Sequence, residues 1–189
     1  MGIAMIQSQL GDHREALKYY REALAISQRL GDHRDMVATL QPLAATHEIL
    51  GEVSDALTYY QQALTLSREL GDRHAERSIL TSLGHLYRRQ LRDFPAALAC
   101  YRQSLAIDRE TGEGDERLTL LKGLGATCWN LGLYEEAASA FEQALEIGET
   151  NGDRAEQAVI RSSLGVTVSS LRRYTTALAH LQEGLAIAK

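Results

Sequence analysis

The sequence predicts an all-α fold: an α–α superhelix, a right-handed solenoid, of about five helix–turn–helix repeats. Three observations carry this. Glycine recurs at fixed spacing, with Gly-Asp at Gly11-Asp12, Gly31-Asp32, Gly71-Asp72 and Gly152-Asp153, and Gly112-Glu113 between the last two. Gly31, Gly71, Gly112 and Gly152 form one series at intervals of about 40 residues; Gly11, Gly51 and Gly132 form a second, offset by half an interval. Two turns per interval imply two helices per repeat. Between the turns, small and apolar residues recur on one helix face, and no period-two strand alternation is sustained. Finally, two prolines in 189 residues, with 44% hydrophobic and 24% charged side chains, describe an ordered chain without a disordered linker.

The repeats are expected near residues 1–30, 31–70, 71–111, 112–151 and 152–189, as one array over 1–189. In the first, a short opening helix carries Ile3-Ala4 and its partner carries Ala16, Tyr20, Ala23 and Leu24. The second pairs Leu43-Ala44 with Ala56, Tyr60, Ala63 and Leu64; Pro42, inside its first helix, should kink it. The third pairs Leu83-Gly84 with Ala97, Tyr101, Ser104 and Leu105. It holds one extra residue within Arg88-Arg89-Gln90-Leu91, which predicts a bulge or lengthened turn before Arg92-Asp93-Phe94-Pro95. Pro95 then falls in the first turn of the next helix, where its missing N–H costs little. The fourth pairs Leu124-Gly125 with Ala137, Phe141, Ala144 and Leu145, and the fifth Leu164-Gly165 with Ala177, Leu181, Gly184 and Leu185. Glycine inside a helix costs ~1 kcal/mol relative to Ala, so Gly84, Gly125 and Gly165 imply a close approach of the partner helix. Tyr19 and Tyr59, one step round from the core tyrosines Tyr20 and Tyr60, are expected to be half exposed. Both ends look cut: the first helix starts at or just after Met1, and the last stops at Leu185-Ala186-Ile187-Ala188-Lys189. That reads as a fragment of a longer array, whose uncapped terminal helices are suited to end-to-end self-association.

These markers resemble the tetratricopeptide repeat, in which Leu-Gly on the first helix faces Ala, Tyr/Phe and Ala on the second. The usual period is ~34 residues. Here the repeat is longer, and the Pro that commonly ends the second helix is replaced by Gln28, Arg68, Arg109 and Glu149, so the second helix should run on to the Gly-Asp pair. The long form is similar to Pins-type (Leu-Gly-Asn) adaptors, to kinesin light chains and to the repeat regions of MalT-type bacterial regulators. Pins-type repeats place a peptide-contacting Asn after Leu-Gly; this chain has Met5, Ala45, His85, Ala126 and Val166 there.

Several function classes are excluded on composition and spacing. A net charge of −5 argues against direct nucleic-acid binding. No apolar run approaches the ~20 residues of a membrane helix. The opening residues do not form a signal peptide. Cys100 and Cys128 belong to no CxxC pattern and read as reduced, packed thiols, consistent with a cytoplasmic protein. The six histidines (His13, His33, His47, His74, His85, His180) show neither HExxH spacing nor a ligand-like cluster. No phosphate loop or nucleophile elbow is present, and Glu135-Glu136 suits a helix start. The reading is therefore of a non-enzyme with no catalytic residue, metal or cofactor site.

What remains is a surface that binds protein. The family resemblance implies that first helices line a concave groove, at positions two residues before the Leu of Leu-Gly and two, five and six after it. These are Gln41, Ala45, Glu48 and Ile49; Thr81, His85, Arg88 and Arg89; Lys122, Ala126, Trp129 and Asn130; and Ser162, Val166, Ser169 and Ser170. His85, Arg88, Arg89 and Lys122 make a basic group in an acidic chain, beside the single tryptophan, Trp129. Arg and Trp are enriched at binding hot spots. The expected function is a scaffold that holds a protein or an acidic peptide in the groove, with Trp129 as anchor. The alternatives are a sensing segment of a larger bacterial signalling or transcriptional regulator, and an architectural spacer.

Overall fold

The computed structural model describes residues 2–112 and 116–188. Met1, Lys189 and Glu113, the acidic half of one turn marker, lie outside the described residues. Among those described, the chain forms ten α-helices and no strand. It divides into two compact units, Met1–Leu91 and Arg92–Lys189, and the division falls inside the third expected repeat.

The first unit contains α1 (Gly2–Gln9), α2 (His13–Leu30), α3 (His33–Ile49), α4 (Val53–Glu69) and α5 (Arg73–Leu86), closed by a π-helical turn, Tyr87–Leu91. The second contains α6 (Phe94–Thr111), α7 (Arg117–Asn130), α8 (Tyr134–Thr150), α9 (Arg154–Ser170) and α10 (Tyr174–Ile187). Within each unit, helices consecutive in sequence pack on one another. The first helices of successive repeats also touch, α3 with α5 in one unit and α7 with α9 in the other. Each unit is thus a stack of antiparallel helix pairs with its first helices side by side, the all-α repeat architecture expected.

The Gly-Asp marker works as two signals in succession. Gly31 adopts φ 67°, and its N–H and that of Asp32 bond back to Gln28 O and Ser27 O, closing α2. The Asp32 carboxylate then accepts the Asp35 N–H at 3.0 Å and opens α3. Asp12, Asp72, Asp93 and Asp153 cap their helices in the same way, through the N–H three residues on. Each such cap stabilises by about 1 kcal/mol. In the half-repeat series, Arg92 and Arg172 stand where Gly11, Gly51 and Gly132 do, and both are held at positive φ, 53° and 59°. The second helices run to the turns, as expected from the missing terminal proline.

The core follows the repeat. Ala16, Ala56, Ala97 and Ala137 are fully buried, and Tyr20, Tyr60, Tyr101 and Phe141 pack at the aromatic position. Tyr19 and Tyr59 are half-buried. The close approach inferred at Leu-Gly is explicit in the second unit: a Cβ on Gly125 would lie 2.9 Å from the Phe141 ring. On Gly165 it would lie 2.7 Å from Leu181 Cγ. The pattern loosens on α10, where Leu178, Leu181 and Leu185 are exposed.

Two irregularities resolve differently. The extra residue of the third repeat is absorbed by the π-helical turn, which widens the coil by one residue without ending it. Pro42 lies inside α3, which continues past it to Ile49. The Pro42 carbonyl still accepts the Thr46 hydroxyl at 2.7 Å.

Replacing Ala137 or Ala56 with Leu is expected to overpack a closed interface and cost ~1–3 kcal/mol, read as a lowered urea midpoint. Arg172→Gly should act in the opposite direction. A non-glycine residue at positive φ costs ~1–2 kcal/mol, partly offset by the greater freedom of Gly in the unfolded chain. A net gain of about 0.5–1 kcal/mol is expected in the same assay.

Candidate interaction surface

In the first unit, the expected groove residues lie on α3 and α5. Gln41 Nε2 donates to Ser78 Oγ at 2.8 Å and ties the two helices together. Glu48 is half-buried and accepts the Tyr60 hydroxyl at 3.4 Å. Burial pushes its carboxyl above the ordinary range, while that hydrogen bond and the charge of Arg89 act the other way. Burial and the Glu48 charge together push the Tyr60 phenol well up, so it stays a donor. Arg88 is half-buried, Arg89 and Ile49 are exposed, and His85 and Ala45 are half-buried. Thr81 departs from the expectation. It is buried, with its hydroxyl spent on Arg77 O at 3.1 Å, and is therefore packed inside.

In the second unit, the groove positions of α7 and α9 converge. Ala126, Trp129 and Asn130 from α7 face Ser162, Ser163, Val166 and Thr167 from α9, with Phe141 of α8 beneath. Together they line a cavity of about 330 Å³. Trp129 and Val166 are 40% and 48% exposed, so this is apolar surface open to solvent and not core. Asn130 Nδ2 donates to Ala126 O at 2.7 Å, which holds the amide at the rim. Ser162 and Ser170 are exposed and Ser169 is half-buried. Lys122 is half-buried and bound to Glu156 of α9 at 2.5 Å, so its charge is compensated locally. Of the expected basic group, His85, Arg88 and Arg89 belong to the first unit and Lys122 to the second.

Cys128 is buried and its thiol is pushed up to about 11, chiefly by burial, so it is not a nucleophile near neutral pH. Neither Cys100 nor Cys128 is in a disulfide.

One grouping escaped the sequence reading, which found no ligand-like cluster around any histidine. His47 at the end of α3 lies against Glu52 and Asp55, because the turn at Gly51 folds the start of α4 back beside it. The sequence signal was weak, since the position of Glu52 varies among the corresponding turns, which hold Asp12, Asp93, Leu133 and Arg173.

The Glu48 shift has a testable sign. A carboxyl raised in the folded chain favours folding while protonated; that contribution is complete below the unfolded value of ~4.3 and is lost as pH rises through the raised folded value. Glu48→Gln cannot ionise. It should melt above the wild type at neutral pH, with the gap closing at about pH 4 and below, in parallel thermal melts.

Among curated proteins none matches the sequence. Solved structures do. BtubC (BKLC) from P. vanneervenii superposes with a TM-score of 0.88 at 26% identity, over 98% of this chain and 76% of that one. A putative kinesin light chain with nearly identical TPR-like repeats from Podosopora anserina gives 0.81 at 19% identity, over 99% and 92%. A STAND protein with a tetratricopeptide repeat sensor from Pyrococcus horikoshii gives 0.82 at 20% identity, over 99% of this chain and 28% of that one. The family model described as tetratricopeptide repeat matches residues 1–69, 35–110 and 116–189, and with these matches spanning the Leu-Gly, aromatic and turn positions in both units, the chain belongs to the tetratricopeptide repeat family.

Proposed function

We propose that this chain is a protein-interaction module whose second unit seats an apolar side chain of an extended partner segment in the cavity between α7 and α9. Tetratricopeptide repeats are generally non-catalytic modules for binding protein. The observation that carries the finer reading is the open apolar cavity at Trp129, lined by side chains from both first helices of the unit. A rigid indole beside an aliphatic wall buries large area at small entropic cost, the usual make-up of a hot spot. The serine hydroxyls and the Asn130 amide at the rim can meet the polar backbone of an extended segment, which would otherwise lose its hydrogen bonds with water.

The acidic preference expected from composition takes second place in this reading. Lys122 is already paired with Glu156, so a carboxylate arriving there must displace a formed ion pair. The apolar anchor therefore sets the primary specificity.

A second reading is favoured by the likeness to the STAND protein, whose description names a tetratricopeptide repeat sensor. There the same cavity would bind a ligand on behalf of a larger signalling protein. Both readings place the contact at Trp129 and differ in what is bound.

Because Trp129 is the single tryptophan, its emission reports the site directly. A random peptide display selection on the full chain should return sequences sharing one large apolar position. Binding should shift the tryptophan emission to the blue, and Trp129→Ala should weaken it by about 2 kcal/mol or more, roughly thirtyfold, with unchanged helical circular dichroism. Selected peptides without a shared apolar position, or equal binding by Trp129→Ala, would overturn the reading.

A further inference from the structure

We propose that His47, Glu52 and Asp55 form a site for one divalent transition-metal ion of the zinc class. The three offer one imidazole nitrogen and two carboxylates, with ligand atoms all within 4.8 Å of one another. His47 Nδ1 lies 2.5 Å from Glu52 Oε2 and 3.8 Å from Asp55 Oδ2. A zinc-sized ion with bonds of about 2.0–2.2 Å holds its ligand atoms about 3.4 Å apart, which these positions bracket. The adjustment needed falls on the exposed partners, since the Glu52 and Asp55 side chains are 47% and 63% exposed and free to swing.

The imidazole, in contrast, is fixed. Its side chain is fully buried and stacked on Tyr59, with centroids 5.2 Å apart. The backbone is fixed as well: Glu52 N–H donates to His47 O at 2.9 Å, clasping the turn that brings residues 47 and 52 together. His47 Nε2 sits in the core without a hydrogen-bond partner, so Nδ1 is the only polar outlet of the ring. That outlet is aimed at the two carboxylates.

The repeats supply an internal comparison. Four residues beyond the marker leucine or isoleucine, where His47 stands, the other repeats carry Gln7, Tyr87, Cys128 and Val168. A histidine is therefore no requirement of the helix pairing. At this turn position Asp12 and Asp93 cap the next helix, while Glu52, Leu133 and Arg173 make no side-chain cap bond; of these three only Glu52 carries a carboxylate. Forgoing a cap costs about 1 kcal/mol; here the longer side chain reaches His47 instead. Only in this copy does a histidine at the first position meet a carboxylate at the second.

The donor set decides the class of ion. One imidazole nitrogen with two carboxylate oxygens suits zinc, cobalt or nickel over calcium or magnesium, which take oxygen alone. Two carboxylates a few ångströms apart repel, and a doubly charged ion relieves that. A carboxylate is an acceptor only, so Nδ1 carries the proton while it faces Glu52; coordination requires the other tautomer, with the proton on Nε2.

The test uses the full chain. Zinc titration by calorimetry near neutral pH should show one ion bound per chain, and cobalt(II) should develop visible absorption at the same stoichiometry. Glu52→Gln with Asp55→Asn, both at exposed positions, should leave the metal-free melting temperature close to the wild-type value and weaken binding about tenfold or more. Nitrogen-15 shifts of the His47 imidazole should report coordination through Nδ1. Absence of saturable binding in the wild type, equal binding by the double variant, or coordination at other histidines with His47 unchanged would each overturn the proposal.

Discussion

The distance at which the two helices of a repeat can approach governs the rest of the structure. On the first helix of the fourth repeat the side chain at position 125 is a single hydrogen; a Cβ there would press within 2.9 Å of the Phe141 ring. At position 165 the same addition would meet Leu181 at 2.7 Å and the Ala177 carbonyl at 3.2 Å. With the axes that close, the second helix must in turn be small where it faces the first, and the alanines at 16, 56 and 137 are fully buried for that reason. A closely packed pair tolerates only a short connection. Single residues in the left-handed conformation supply one, Gly132 between α7 and α8 and Arg172 between α9 and α10.

Because that constraint repeats, most of the fold was legible in the sequence. Size, turn chemistry and helix periodicity all act locally and recur in register, so each copy corroborates the others. The extra residue of the third repeat was legible too, and only its form, a π-helical turn over Tyr87–Leu91, required coordinates. The placement of the candidate surface residues was legible in part. The groove positions of α7 and α9 do gather round Trp129, since they follow from helix periodicity. What the periodicity does not carry is the partner that each side chain selects. Thr81 turns to the Arg77 carbonyl, and Lys122 finds Glu156 on the neighbouring first helix. Both depend on contacts between elements, which spacing along one helix does not specify.

Departures from the repeat are therefore more informative about function than its regularities. A position that is Ala or Leu in every copy reports packing. The position five after the marker leucine holds Glu48, Arg88, Trp129 and Ser169 in successive copies, and nothing in the helix pairing chooses among such residues. Of the four, Trp129 is exposed and the others half-buried, so this address varies where the constant packing positions do not.

The same logic separates strain that the fold tolerates from strain that it uses. Arg92 and Arg172 occupy the left-handed turn conformation at a cost that glycine avoids in the equivalent turns, and a glycine at either place would close the same turn. Arg92 has a compensating contact, with its guanidinium 5.8 Å from the Phe94 ring centroid. At Gly51 the backbone keeps the unstrained residue and the departure moves to the side chains, where Glu52 leaves the helix start uncapped in order to meet His47. One kind of deviation lies in the backbone and leaves the turn's connection unchanged. The other lies in side chains that converge from two helices, and only that kind creates a new chemical grouping on an otherwise repetitive surface.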